Sequence, residues 1–173
     1  YIGCINNESG GSSYGGFAGV LAAAAHSLGG TLSNSGDIIY EGTSPSGTFS
    51  IGGLCGQSGN KALALCENLI NTGDITIKST HSGWKPTAAK KNGLIGGIMG
   101  IHSVALSNAK FYGTITAIGF EDDHGNAGVY NAIGGIVGSV TSASLTNCHV
   151  GGAIRLSSEE SEDAGGNVVT IYT

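Results

Sequence analysis

Two patterns of apolar and polar positions recur along the chain, and both predict short β-strands separated by tight bends. The first pattern is a pair of glycines followed by two apolar residues and a third glycine. Its four copies occupy residues 14–19, 51–56, 95–100 and 133–138. The second glycines of successive copies are 37, 44 and 38 residues apart, and such a period is typical of repeat architectures. We therefore interpret the chain as a stack of four similar units.

The second pattern ends in a glycine, one variable residue and an isoleucine. Its copies occupy residues 31–38, 68–75, 108–115 and 147–154. An apolar residue lies two positions after each isoleucine, as in Ile75 and Ile77, which is the alternation of a half-buried strand. Because equivalent positions stack in successive coils, we expect two ladders of side chains inside the stack. The members of the first are Ile38, Ile75, Ile115 and Ile154, and those of the second are Leu32, Leu69, Ala109 and Cys148.

These patterns predict an all-β β-solenoid, similar to a β-helix, with about four coils of 37–44 residues. We expect one repeat domain over residues 1–173, with a partial first coil at 1–13 and units at approximately 14–50, 51–94, 95–132 and 133–173. The chain begins at Tyr1, so we expect it to be a fragment of a longer protein. The alanine-rich residues 20–25 favour a helix by propensity, but the equivalent residues 57–62 contain a Gly-Asn turn. We therefore predict a strand and a turn there.

Segments of variable length follow each isoleucine strand, at residues 41–49, 78–93, 118–131 and 157–167. Insertions in a solenoid emerge on a common side, so we expect these loops to cluster on one edge. Binding residues are concentrated in loops held by a rigid scaffold. This edge is therefore where we expect function.

Asparagines and cysteines recur at equivalent positions. Asn68, Asn108 and Asn147 share the position of Thr31, where an amide ladder at a corner or a binding role would each explain them. The cysteines, Cys4, Cys55, Cys66 and Cys148, show no metal-binding spacing. Apolar residues replace Cys55 and Cys148 in the other units, which favours buried thiols over disulfides.

The glycine motif and the Asn-x-Gly-x-Ile segment together resemble the GLUG-motif repeats of bacterial secreted and surface proteins. The residues that carry the resemblance are 52–56, 96–100 and 134–138, with 15–19 as a looser copy. The resemblance covers most of residues 14–156. It implies a structural or adhesive repeat and supplies no catalytic residues.

Charge excludes some classes of partner. The 173 residues carry a net charge of −5, and only 11% of them are charged. Nucleic acids and anionic membranes require a basic face, so neither is expected as a partner. No apolar run approaches the roughly 20 residues of a transmembrane helix, so we expect no membrane insertion.

Acidic residues in the last two insertions form a candidate calcium site. These are Asp122, Asp123, Glu159 and Glu160, and the stack would bring their loops together. Clustered carboxylates suit calcium, although solvated acidic loops explain the same residues. Paired carboxylates also hydrolyse glycosidic bonds in β-helix enzymes, which is the catalytic alternative.

The insertion at 78–93 contains the only tryptophan, Trp84, next to Lys85. An exposed tryptophan beside lysines can stack on a sugar ring or anchor a protein. Alternatively, it covers apolar surface at a coil end.

From these observations we expect a non-catalytic, extracellular or cell-surface bacterial module, an adhesive or glycan- or protein-binding spacer without a cofactor other than calcium. The alternatives are a carbohydrate-active β-helix enzyme and a structural module that self-associates.

Overall fold

A computed structural model describes ten segments of the chain, and all structural statements refer to them. The segments are residues 2–3, 12–21, 29–42, 49–58, 66–79, 93–118, 132–141, 144–157, 160–162 and 168–170. Their regular secondary structure consists of β-strands, with no helix among these residues. The predicted all-β class is therefore confirmed.

Strands of two to six residues follow one another in four coils. The first strand, β1 (Ile2–Gly3), precedes coil 1, which contains β2 (Ser12–Gly15), β3 (Ala18–Leu21), β4 (Gly30–Asn34) and β5 (Ile38–Gly42). Coil 2 contains β6 (Phe49–Gly52), β7 (Cys55–Ser58), β8 (Cys66–Asn71) and β9 (Ile75–Ser79). Coil 3 contains β10 (Gly93–Gly96), β11 (Met99–His102), β12 (Leu106–Ser107), β13 (Ala109–Phe111) and β14 (Thr114–Ile118). Coil 4 contains β15 (Ala132–Gly134), β16 (Val137–Val140), β17 (Leu145–Thr146), β18 (His149–Val150) and β19 (Ala153–Ser157). The strands β20 (Glu160–Glu162) and β21 (Val168–Thr170) follow.

Each coil contributes one strand to each of four parallel sheets, and the strands lie in coil order. Sheet I contains β2, β6, β10 and β15, and sheet II contains β3, β7, β11 and β16. Sheet III contains β4, β8, β13 and β18, while sheet IV contains β1, β5, β9, β14 and β19. A short parallel pair joins β12 to β17, and β20 pairs with β21 in antiparallel orientation. This topology is that of a β-solenoid, as predicted.

The isoleucine ladder exists in the predicted register. Ile75 lies between Ile38 and Ile115 in sheet IV, and Ile154 lies opposite Ile115 on the other side. The side chains of Ile38, Ile75 and Ile115 are buried, with at most 1% of their surface exposed. The prediction that all four lie inside the stack is wrong for Ile154, which is 44% exposed because coil 4 has no fifth coil over it among the described residues.

The second predicted ladder also has the expected register. Leu69 lies between Leu32 and Ala109 in sheet III. Leu69 and Ala109 are fully buried, whereas Leu32 in coil 1 and Cys148 in coil 4 are partly exposed. In this ladder, burial is therefore complete in the two central coils and partial in the outer two.

The repeated glycines form a sharp bend between sheets I and II, where only a hydrogen atom fits. A Cβ atom on Gly97 would lie 2.6 Å from Cδ1 of Phe111 and would also overlap the carbonyl oxygen of Gly135. The equivalent Gly53 faces the amide of Asn71 and the carbonyl of Gly97 in the same way. Glycine is therefore required at Gly53 and Gly97, because a Cβ at either position would overlap both the next coil and a side chain from sheet III.

A buried amide in coil 2 connects coils 1, 2 and 3. Asn71 is fully buried in sheet III, and its Nδ2 donates to the carbonyl oxygens of Gly73 (3.1 Å) and Gly97 (3.0 Å). Its Oδ1 accepts hydrogen bonds from the Gly73 amide (3.2 Å) and from Nδ2 of Asn34 (3.0 Å). Because burying an unsatisfied amide is costly, this complete set of partners lets a polar residue occupy a position that is Phe111 in coil 3.

Two further predictions concern the connections. Val20 and Leu21 lie in strand β3 as predicted, whereas residues 22–25 lie outside the described residues. The four variable insertions each follow the sheet IV strand of a coil, and the first three lead to the sheet I strand of the next. Their predicted clustering on one edge stays a prediction, since most of their residues lie outside the described segments.

Candidate functional site

The predicted site residues lie almost entirely outside the described part of the chain. Those outside it are Trp84, Lys85, Asp122, Asp123 and Glu159. Glu160 begins strand β20, where it is paired with Thr170 of β21. The sugar-binding tryptophan and the calcium site therefore stay predictions.

The outer face of sheet III carries chemically different side chains in successive coils. Its central row runs from Ser33 through Ile70 and Lys110 to His149, with one residue from each coil in register. All four side chains are exposed or partly exposed. The inward positions on either side of this row are filled by the buried Leu69 ladder and by the Asn71 position. The side chains of this outward row therefore differ in chemistry from coil to coil.

An aromatic pair stands at the coil 4 end of this face. The ring of Tyr112 is 47% exposed, and its centroid lies 5.6 Å from that of His149, with the planes tilted by 49°. Gly151 lies beneath the pair, since a Cβ there would be 2.8 Å from Cδ1 of Tyr112 and 3.2 Å from Nε2 of His149. The absence of a side chain at Gly151 thus lets the tyrosine ring lie over coil 4 beside the imidazole.

Amide groups and one ammonium group flank this pair. Nζ of Lys110 donates to Oδ1 of Asn68 at 3.2 Å, and this amide oxygen carries no formal charge to neutralise the ammonium group. Nδ2 of Asn147 donates to Oδ1 of Asn108 at 2.6 Å. Both of these asparagines have left-handed backbone, with φ of 54° and 56°. The predicted amide ladder at a corner is therefore confirmed for these two residues, but Asn68 is not part of it because it lies in strand β8 and bonds to lysine.

Two aspartates form a different ladder at the corner before sheet IV. Oδ1 of Asp37 accepts a hydrogen bond from the backbone amide of Asp74 at 2.9 Å. Oδ1 of Asp74 accepts one from the amide of Thr114 at 2.7 Å. Each carboxylate therefore caps an N–H group of the next coil, which is a structural use of charge.

A buried histidine lies at the end of sheet II. His102 is completely buried, and no described residue makes a hydrogen bond of good geometry to either ring nitrogen. Burial lowers the pKa of His102, and backbone groups of Ala105, Ser58 and Val104 partly oppose this effect. The neutral imidazole is therefore favoured. Nothing in the repeat pattern predicted this residue, because the register partner in coil 2 is Ser58 and that in coil 4 is Val140.

The described cysteines are free thiols. Cys55 and Cys66 are buried and Cys148 is partly exposed. Burial raises the pKa of Cys55 to about 12, with a smaller lowering effect from the backbone of Ala18 and a further raising effect from Cys66. Burial likewise raises the pKa of Cys66. Because the thiolate is the reactive form, the expected role as packed apolar side chains is confirmed for Cys55 and Cys66.

The described segments contain no group of three or more His, Cys, Asp or Glu side chains arranged to hold a metal ion. In the same segments, no helix is long and apolar enough to cross a bilayer. Comparison of the chain with protein-family models, curated proteins and solved structures finds no match.

Proposed function

We propose that the chain is a non-catalytic recognition and spacer module of an extracellular or cell-surface bacterial protein, of the kind that its resemblance to GLUG-motif repeats implies. One observation carries this proposal. The isoleucine positions of sheet IV repeat from coil to coil, whereas the outward row of sheet III changes from Ser33 to Ile70, Lys110 and His149. A scaffold with a repeated core ladder and a variable outer row suits recognition, since solenoids bind through extended surfaces of this kind.

The ladders support a rigid scaffold. Isoleucines, amides and aspartates each connect one coil to the next through side chains that are in register. The carboxylates of Asp37 and Asp74 are engaged with backbone amides, so these two acids hold the corner together. This arrangement supports a structural role for these two acids.

Binding and turnover are tested on the same preparation of the intact domain. The immobilised domain is screened against a glycan array and a panel of extracellular matrix proteins, and the soluble domain is incubated with polysaccharides while reducing ends are measured. We expect retention of at least one glycan or protein and no release of reducing ends. Release of reducing ends, or no retention of any ligand, would contradict the proposal.

The exposed end of the stack favours self-association as a second candidate function. Apolar side chains of coil 4 that are at least 39% exposed are Val140, Leu145, Val150, Ile154 and Leu156. Strands β15 to β19 each pair with coil 3 on one side, and no strand of the described segments pairs with their other edge. Exposed edges and apolar patches are typical association sites.

Light scattering after size exclusion tests this second function. If coil 4 associates with another copy, the domain forms concentration-dependent oligomers, and Ile154→Lys together with Leu156→Lys makes it monomeric. The matched control is Thr76→Lys, which places the charge on a partly exposed position of sheet IV in coil 2. A wild-type monomer at all concentrations would exclude self-association through this end.

A further inference from the structure

We infer that the coil 3 and coil 4 end of sheet III is a binding site for an acidic oligosaccharide, one whose sugar rings carry carboxylate groups. This inference deepens the proposed function, because it rests on the chain being a recognition module and names the ligand class and the residues. The site consists of Tyr112, His149 and Lys110, with Asn68 and Asn147 at its margins. None of these residues belongs to the insertion at 78–93 that contains Trp84.

The tyrosine supplies an apolar platform. Nearly half of the surface of Tyr112 is open to solvent, while its ring is held between His149 and Gly151. A ring held in place loses little conformational freedom when a ligand binds. The C–H face of a pyranose fits such a ring, because aromatic faces carry partial negative charge and C–H groups partial positive charge. The pair therefore favours a flat, partly apolar ligand over a fully ionic one.

The lysine adds selectivity for negative charge. Lys110 lies directly opposite His149 in the register of sheet III, so their Cα atoms are about 5 Å apart. Tyr112 is two residues beyond Lys110 along the same face, about 7 Å away. The Lys110 ammonium is directed towards Asn68 of coil 2, whereas the Tyr112 ring lies against Gly151 and His149 of coil 4. A ligand that contacts both groups must therefore extend across coil 3, which suits an oligosaccharide. The Lys110 ammonium contacts the amide oxygen of Asn68, so a ligand carboxylate would be its first opposite charge among the described contacts.

The surrounding groups complete the set that a carbohydrate needs. Asn147, His149 and the hydroxyl of Tyr112 offer both donors and acceptors, and the first two are exposed. Sugar hydroxyls donate and accept in the same way, so mixed partners suit them better than a row of like charges. The equivalent positions in coil 1 are Ser33 and Ser35, which offer neither a ring nor a cation. The site is therefore local to the last two coils.

Titration of the intact domain with pairs of matched oligosaccharides tests the inference. Glucuronate-containing, sialic acid-containing and neutral oligosaccharides of equal length are compared by NMR chemical-shift perturbation and by calorimetry. We expect an acidic ligand to bind at least tenfold more tightly than its neutral match, with affinity falling as salt is raised. Whichever acidic series binds more tightly, the glucuronate-containing or the sialic acid-containing one, identifies the type of acid. Equal affinity for acidic and neutral sugars would overturn the assignment.

Substitutions test the contributions of the Tyr112 ring and of the Lys110 charge to binding separately. Tyr112→Ala is expected to reduce affinity at least tenfold, while Tyr112→Phe keeps most of it. Lys110→Gln is expected to remove the preference for acidic over neutral sugars. Gly151→Ala, which deletes no group, is expected to weaken binding because its methyl group displaces the tyrosine ring. The matched control is Thr72→Ala, one coil away at the position equivalent to Tyr112, and it should leave affinity unchanged.

The outcomes distinguish this inference from the proposed function. Circular dichroism melts of each variant report folding, and Tyr112→Phe and Lys110→Gln each change only an exposed or partly exposed group. If the domain binds glycans but all variants bind equally, the site is wrong and the proposed function stands. If no glycan and no protein binds, both are wrong.

Discussion

Replacing Gly97 by alanine tests the packing of one coil on the next. A Cβ at this position would lie 2.6 Å from Cδ1 of Phe111 and closer still to the carbonyl oxygen of Gly135. Phe111 is fully buried and Gly135 belongs to the backbone of coil 4, so neither neighbour can retreat easily. Overpacking of a well-packed core costs about 1–3 kcal/mol and occasionally more, and we expect the upper end of this range.

The matched control is Gly36→Ala. A Cβ on Gly36 has only Oδ1 of Asn34 within 4 Å, at 3.5 Å, which is ordinary contact. Neither glycine has positive φ. Replacing a glycine by alanine raises the free energy of unfolding by about 0.4–1 kcal/mol through the unfolded state, and both variants share this gain. The difference in stability between the two variants therefore reports the packing around Gly97.

Thermal and urea unfolding followed by circular dichroism provide the assay. For a chain of this length, 1 kcal/mol corresponds to roughly 2–4 °C in Tm, so a loss of about 3 kcal/mol lowers the Tm of Gly97→Ala by about 6–12 °C. The Tm of Gly36→Ala should rise by about 1–4 °C above wild type. Equal Tm values for the two variants would refute the stacking of Gly97 on coil 4.

Three further predictions concern buried side chains. Ile115→Ala should cost about 2–5 kcal/mol in the free energy of unfolding, whereas Ile154→Ala, whose side chain is 44% exposed, should cost about 1 kcal/mol; equal losses measured in urea would contradict the burial difference. Cys55, with a pKa of about 12, should resist alkylation by iodoacetamide at pH 8 until urea unfolds the domain, and rapid labelling of the folded protein would contradict its burial. Because burial lowers the pKa of His102, the unfolded state binds the additional proton, so stability should fall as pH drops below about 6.5, by at most about 1.4 kcal/mol per pH unit. His102→Gln should remove this part of the pH dependence, whereas His149→Gln should retain it. If the urea midpoint of each variant were the same at pH 7 and at pH 5, the assignment of this pH dependence to His102 would be refuted.

The repeat period predicted most of the fold because stacked coils place chemically similar residues next to one another. Ile38, Ile75 and Ile115 recur for that reason, and their register is as expected. Ile154 has the same sequence context but not the same burial, because the sequence pattern records position within a coil and not whether another coil follows. The sequence alone therefore predicts which residues are in register, but it does not predict that Ile154 is exposed.

The site was harder to predict because it lies in positions where the units differ. A repeat pattern identifies residues that are alike in successive units, and it gave no indication of Tyr112 and His149, whose counterparts in the other coils are chemically different. Their contact depends on the space that Gly151 leaves for the tyrosine ring. This three-residue arrangement forms only where coil 4 stacks on coil 3, so it cannot be read from the sequence. His102 was missed for a related reason, since its partners in the register are chemically unlike it.

Methyl NOE spectroscopy on the isoleucine-labelled domain tests the stacked register most directly. Ile38 and Ile75 are 37 residues apart in sequence and Ile75 and Ile115 are 40 apart, yet each pair lies opposite in adjacent strands of sheet IV, about 5 Å apart at Cα. We predict strong cross-peaks within both pairs and a much weaker one between Ile38 and Ile115, which are two coils apart. Absence of the two nearest-neighbour cross-peaks in the folded protein would contradict the solenoid.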